Sequence, residues 1–303
     1  MAKTKRTGIR RDNSVGDKVF NVVNITFFTL FTLICIFPFY YLLINTISNN
    51  DLVGKNLITL VPKGIHFSNY VALKDVADFG NSVLVTVSRT ILGTTLMVLV
   101  SAFAGYLTTK HELWHRSLWY RALVITMYFN AGMIPWYLNM AGLGLTDNYW
   151  GYIIPGLVAP YNIILVKTYI ESIPPSLEES ATIDGASAMK VFTNIILPLS
   201  KPILATIAVF GAVANWNSLQ DSLILMSNSP QLYTMQHRLW MYLNTSSNLA
   251  AAMQSGGSVS SGMLNTKVIK YTISMVTIIP IMLVYPFMQR YFEEGIMLGA
   301  VKG

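Results

Sequence analysis

Residues 173–202 read IPPSLEESATIDGASAMKVFTNIILPLSKP, and the order of breakers and helix formers within them decides how the chain is organised. Pro174 and Pro175 stop any preceding helix, since proline has no backbone N–H and the residue before a proline avoids helical geometry. Ser176 is then placed to cap a new helix, and Glu179, three residues on, completes a capping box worth up to about 1 kcal/mol. Gly185 permits a sharp turn. A second helical run carrying Met189, Phe192, Ile195 and Ile196 follows, ended by Pro198 and Pro202. The expected product is a compact helical hairpin inserted between apolar spans. Ser180, Ala181, Gly185, Ala186 and Ala188 are small enough to let another protein approach the backbone, so the hairpin reads as a docking surface.

Outward from this hairpin the chain is strongly apolar. Hydrophobic residues make up 53% of its 303 positions and charged residues 12%, against about 25% charged in a soluble domain. Apolar runs of membrane-spanning length recur, which predicts an all-α polytopic membrane protein. Six spans are expected: Val19–Ile47, Asn81–Thr108, Leu118–Leu138, Gly151–Ile170, Ile203–Met226 and Val268–Gln289. Pro155, Pro160, Pro280 and Pro286 should interrupt the fourth and sixth, a pattern tolerated where neighbouring helices satisfy the freed carbonyls.

The basic residues set the orientation. Fourteen of the 21 Lys and Arg fall in the tail 1–18, the loop 109–121, the segment 167–201 and residues 290–303; six fall in the opposite loops, and Arg89 lies within a span. By the positive-inside rule both termini and the 174–202 hairpin are cytoplasmic. Residues 1–18 then form a basic tail and 19–303 a single transmembrane domain, with outer loops at 48–80 and 228–265. The first outer loop is mixed in charge around Pro62 and Gly64, and the second carries the Ser/Gly-rich run SSNLAAAMQSGGSVSSGMLN, expected to be mobile. The net charge of +7 therefore reports topology rather than nucleic-acid binding. Cys35 is the single cysteine, so no disulfide can form within the chain.

The hairpin also carries a resemblance. Glu179-Ser180-Ala181, three residues, Gly185, nine residues, then Ile195-Ile196-Leu197-Pro198 resembles the EAA loop of ABC-importer permeases. Ser180 replaces the usual alanine, small for small. Leu177-Glu178-Glu179, Ile183-Asp184-Gly185-Ala186 and Leu197-Pro198-Leu199 through Pro202 are similar to the carbohydrate-importer branch. Gly132-Met133-Ile134-Pro135, Gly142-Leu143-Gly144-Leu145 with Trp150, Tyr285-Pro286-Phe287 and the ending from Tyr291 to Gly303 resemble its maltose-type inner-membrane subunit, in the oligosaccharide subgroup of Gram-positive bacteria. The resemblance covers roughly residues 20–303.

It implies a six-helix core with a cytoplasmic coupling-helix hairpin, in a bacterial cell membrane. It also implies a second homologous permease making a heterodimer, two ATPase subunits, and an extracellular lipid-anchored sugar-binding protein. Glu179, Ser180, Ala181, Asp184, Gly185, Ala186 and Met189 would face the ATPase. The chain has no phosphate-binding loop, because Gly54-Lys55 lacks the upstream glycine. No cofactor is expected on this chain, and ATP with Mg would sit on the partner ATPase.

Two further patterns bear on chemistry. His111-Glu112-Leu113-Trp114-His115 matches H-E-x-x-H, which on a helix would put two imidazoles on one face for zinc. Lys110 and Arg116 flank it in a short loop, and His66 and His237 are expected on the other side of the membrane, so no third ligand is at hand. It reads as a solvated loop, with no metal expected. Asn215, Trp216, Asn217, Gln220 and Asp221 form a polar cluster in span five, and the i,i+4 pairs Trp216–Gln220 and Asn217–Asp221 would give one polar stripe suited to a sugar, or to interhelical hydrogen bonds.

Arg89 lies about 12 Å in from the outer end of span two, and Asp221 about 8 Å in from that of span five. A lone charge at such depth is expensive, so the two are expected to meet, directly or through water. An ion-coupled secondary transporter is the alternative function class, with Asp221 the sole candidate carrier.

Overall fold

A computed structural model describes residues 15–75, 78–254, 267–284 and 286. The tail 1–14, the 255–266 part of the second outer loop and the ending 287–303 lie outside the described residues, as does the close of span six. Within them the chain is all-helical. The α-helices are α1 (Val15–Thr46), α2 (Asn50–Gly54), α3 (Ser68–Ala72), α4 (Phe79–Thr109), α5 (Arg116–Tyr128), α6 (Met133–Gly142) and α7 (Pro160–Ile170). They continue as α8 (Ser176–Ile183), α9 (Ala188–Val191), α10 (Leu197–Leu199), α11 (Lys201–Asn217), α12 (Gln220–Leu225), α13 (Met235–Gln254) and α14 (Lys267–Val284).

Three of these are long and apolar enough to cross a membrane: α1, α4 and α14, with mean hydropathies of 2.2, 1.9 and 1.7. Counting each of two bent pairs as one span brings the number to as many as five among the described residues. The pairs are Tyr149–Gly156 with α7, bent by 43°, and Ala188–Leu199 with α11, bent by 77°. The expected third span is divided. The Asn130 side chain accepts the Gly132 amide at 2.9 Å, and Gly132 takes φ +90°, so an Asx turn separates α5 from α6.

Other expectations also change. Pro155 and Pro160 do break their span, but Pro280 rides inside an unbroken α14. Pro198 does not end its helix either. Having no N–H, it cannot bond the Asn194 carbonyl, and just before it the Leu197 amide reaches back to Phe192, widening residues 192–196 into a π turn. The run ends at Leu199, and Pro202 sits at the start of α11. The second outer loop is no loop over 235–254, where α13 forms. The first contains α2 and α3, and its ends are tied by Asn49 N–H to the Lys63 carbonyl (2.9 Å) and His66 N–H to the Ile47 carbonyl (2.8 Å).

α4 is the element the others share. Its C-terminal half contributes Ala102 and Tyr106 to a core with Val166, Val191, Ile196 and Ile207. Its N-terminal half contributes Val85 to a second core with Tyr152 and Leu225, and Phe79 to a third with Met235 and Ile273. Lipid is as apolar as leucine, so helices in a membrane associate by close packing rather than by hydrophobic expulsion. Gly105 supplies that closeness. A Cβ on Gly105 would stand 2.7 Å from Val166 Cγ1 and 3.2 Å from the Lys167 nitrogen, whereas one on Gly211 would meet Met97 Cε, the end of a side chain free to move aside.

Gly105→Ala should therefore destabilise the chain by about 1–3 kcal/mol through overpacking between α4 and α7. Gly80→Ala is the control, in the same helix but with no atom within 4 Å of the added carbon. Melting curves of the detergent-solubilised variants test this, and equal midpoints for the two would disprove the close-approach account.

Candidate functional site

Two regions carry the polar chemistry, one at each end of α4. Toward its N-terminal half, Arg89 is 1% exposed, the largest fully buried side chain among the described residues. Its Nη2 donates to Asp221 Oδ2 at 2.6 Å and its Nη1 to Oδ1 at 3.3 Å. The pair expected from sign and depth is thus a direct, two-pronged one. Its guanidinium also lies 4.4 Å from the centroid of the Tyr152 ring, a cation–π arrangement that favours a partly desolvated Arg.

Asp221 is held from its own side. Its Oδ1 accepts from Ser218 Oγ and from the Ser222 amide, both at 2.8 Å. Such local bonds offer the backbone an alternative to the helical ladder, and here they accompany a break: α11 stops at Asn217 and α12 starts at Gln220. The expected single stripe across 215–221 therefore does not form.

The five residues of the cluster disperse. Asn215 bonds the Gly211 carbonyl and, with Arg89, Tyr152 and Asp221, lines a cavity of about 430 Å³. Trp216 Nε1 donates to the Thr277 carbonyl of α14 at 2.9 Å, so the indole is turned into a helix contact. Asn217 accepts from Gln236 at 3.2 Å, and Gln220 reaches Met133 Sδ at 3.4 Å.

Sequence reasoning missed the residues behind the ion pair. Tyr152 lies 2.7 Å from the Leu232 carbonyl and 2.9 Å from Ser222 Oγ, which in turn lies 2.9 Å from His237 Nδ1. The Tyr152 hydroxyl donates toward both the Leu232 carbonyl and Ser222 Oγ, and the Ser222 hydroxyl pairs in turn with the His237 ring nitrogen. Burial, together with the neighbouring Arg238 charge, pushes the His237 pKa down to about 4. Arg238 ties the same region to the start of α4, bonding Ser82 Oγ at 3.1 Å, Asp78 Oδ2 at 3.2 Å and the Pro230 carbonyl at 3.0 Å. Across the surface Asp147 accepts the Asn228 amide at 2.9 Å, a backbone bond that holds its carboxyl below the usual range. The break at Pro155 was the only sequence sign that Tyr152 sits beside an irregular, site-building segment.

At the other end of α4 stands the hairpin. Gly185 takes φ +79°, and the Ala186 amide reaches back to the Ala181 carbonyl at 2.9 Å, closing the turn the sequence requires. Glu179, Ser180, Asp184, Gly185 and Met189 are exposed, and Ala181 and Ala186 half-buried. The capping box does not form. Pro175 occupies the cap position without a side-chain bond, and Ser176 is already helical. The Glu178 and Glu179 amides both turn to the Pro175 carbonyl at 3.0 Å, so Glu179 is not spent on the local helix. The cap in this hairpin belongs to Ser187, whose hydroxyl accepts the Lys190 amide.

The H-E-x-x-H segment is a run of turns, not a helix, and His115 has φ +51°. Its two imidazoles therefore share no helical face. His111 instead lies 3.2 Å from Arg116 Nη1.

The family model described as "binding-protein-dependent transport system inner membrane component" matches residues 6–297. Among relatives, the polygalacturonan/rhamnogalacturonan transport system permease protein YtcP of Bacillus subtilis is 34% identical, over 95% of this chain and 99% of its own. Protein LplC of the same organism is 33% identical, over 96% and 97%. The arabinooligosaccharides transport system permease protein AraQ, also from Bacillus subtilis, is 26% identical, over 94% and 97%. Among solved structures, a bacterial ABC transporter involved in the import of the acidic polysaccharide alginate aligns with a TM-score of 0.81 and 32% identity, covering 92% of this chain and 98% of that one.

Two outcomes follow from the geometry. Asp221→Asn should be strongly destabilising, by about 3–5 kcal/mol, because it strands a buried guanidinium. The exchange Arg89→Asp with Asp221→Arg should recover part of either single loss, and a double variant no better than its worse single parent would refute the coupling. Second, a histidine held neutral by the fold contributes stability that is complete above pH 6.5 and is lost as pH falls from there toward 4, since the unfolded chain takes up the proton first. Melting temperature measured across that window should decline on acidification. The decline should flatten in His237→Asn, and a slope unchanged by that substitution would contradict the assignment.

Proposed function

The chain belongs to the family of binding-protein-dependent transport system inner membrane components, and from that membership we propose that it is the permease subunit of an ABC importer that passes a carbohydrate, an oligosaccharide, across a bacterial cell membrane. Members of this family are transport components, not enzymes. The observation that carries the reading is the exposed hairpin α8–α9, which bears the EAA spacing around the left-handed turn at Gly185.

In this reading α5 with α6, and α11 with α12, each complete a span, so that six cross the membrane and both termini and the hairpin are cytoplasmic. Its support is the separation of the two regions along α4, about 46 Å from end to end for 31 residues. The charged turn 110–116 and the hairpin meet its C-terminal end, and the segments 228–240 and 66–75 meet its other end. A second homologous permease pairs with this chain, a lipid-anchored binding protein delivers the sugar from outside, and two ATPase subunits hold ATP and Mg. Glu179, Ser180, Ala181, Asp184, Gly185, Ala186 and Met189 form the face presented to one ATPase. The cavity beside Arg89, Asn215 and Asp221 belongs to the sugar path. The ion-coupled alternative needs a carboxylate free to load and release a cation, whereas Asp221 is committed to Arg89, Ser218 and the Ser222 backbone.

Reconstitution of the complete complex tests the reading: a sugar-loaded binding protein should stimulate ATP hydrolysis, and an importer of another substrate class would show no stimulation by any oligosaccharide. Since Glu179 does not cap α8, Glu179→Gln should retain the fold yet lower stimulated hydrolysis about tenfold, the loss of one charge-assisted contact. Full activity in that variant would remove Glu179 from the docking face.

A further inference from the structure

The EAA spacing singles out Glu179, but its neighbour Glu178 is the α8 residue that reaches back to α4. The Glu178 carboxylate pairs with Lys110, at the C-terminal cap of α4, and lies 3.4 Å from the Tyr106 hydroxyl. Tyr106 is 3% exposed, and its hydroxyl also lies 3.2 Å from the Ala188 carbonyl at the start of α9. Its ring packs on Phe192 at 5.1 Å between centroids, and the Lys110 ammonium sits 4.2 Å above its face. One end of α4 thus holds both arms of the hairpin. The Glu179 carboxylate, by contrast, is exposed and makes no hydrogen bond or ion pair among the described residues.

Between Tyr106 and Arg89 α4 is one uninterrupted helix, about 25 Å at 1.5 Å per residue. A helix of that kind transmits a shift of its end with little loss, provided the end is gripped. Without the grip, the hairpin could move with α11, to which it is covalently continuous, and leave α4 behind.

We infer that Glu178 is a positioning residue for transport: by locking α8 to Lys110 and Tyr106, it makes a displacement of the hairpin a displacement of α4 and of the cavity beside Arg89. The inference rests on the importer reading above. The two neighbouring carboxylates then divide their labour, Glu179 facing a partner and Glu178 facing this chain's own helix.

The test uses the complete reconstituted complex and reads two quantities together, sugar taken up and ATP hydrolysed in the presence of loaded binding protein. Glu178→Gln keeps an acceptor for Tyr106 but loses the ion pair, and should lower sugar imported per ATP about fivefold, at the lower end of the usual range for coupling between sites. A variant that merely folded or assembled poorly would lose both quantities in proportion and leave the ratio unchanged, which would overturn the inference. Lys110→Glu alone should uncouple as well, and Lys110→Glu with Glu178→Lys should restore most of the ratio. A wild-type ratio in Glu178→Gln, or no recovery in the exchanged pair, would likewise overturn it. If the wild-type complex itself shows no stimulation by loaded binding protein, the importer reading fails instead, before any variant is compared.

Discussion

A guanidinium that is 1% exposed among apolar helices has to be answered by an anion, and much of the local architecture follows from that demand. Asp221 can reach Arg89 because the chain breaks between α11 and α12, and the break is stitched by Ser218 and the Ser222 amide on the same carboxylate. Tyr152 lies against the guanidinium, and it can do so because residues 149–156 run as tight 3₁₀ turns instead of a regular span. Behind Tyr152, Ser222 and His237 continue the chain of hydrogen bonds away from the guanidinium. Removing the charge would leave both departures from ideal helix, the α11–α12 break and the 3₁₀ run, without a reason.

The other half of α4 obeys a different constraint. There the association with α7 depends on a missing side chain, at Gly105, and that end is packed by an aromatic pair, Tyr106 with Phe192. A buried ion pair organises one half of the helix, and close packing, with the Lys110–Glu178 contact at its very end, organises the other. That division separates a region able to present hydrogen-bonding groups to a solute from one suited to carry load.

What the sequence made legible was whatever rests on single residues with one physical solution. A glycine needed in the left-handed region marked the hairpin turn at Gly185, and two opposite charges at similar depth in apolar surroundings pointed to each other. Less legible were features set by competition. The Ser176–Glu179 spacing satisfies a capping box, but Pro174 and Pro175 present carbonyls that take the first amides of α8. Periodicity suggested one helix through 215–221, whereas the local bonds of Asp221 prevail. Met235–Gln254 was hidden by its Ser- and Ala-rich end, which resembles a linker in composition although the residues before it, Leu239, Trp240 and Tyr242, suit a helix that packs. Pro280 misled in the opposite direction, since a long apolar helix absorbs a single missing amide where its neighbours allow.

The bend at Ser200 has a mechanical meaning of its own. Two arms, Ala188–Leu199 and α11, meet at 77° through one buried serine, in the manner of a bell crank. A push along the first arm arrives at the second nearly at right angles, so a thrust along one arm becomes a sideways swing of the other. The far end of the swinging arm is Asn217, next to the Asp221 break.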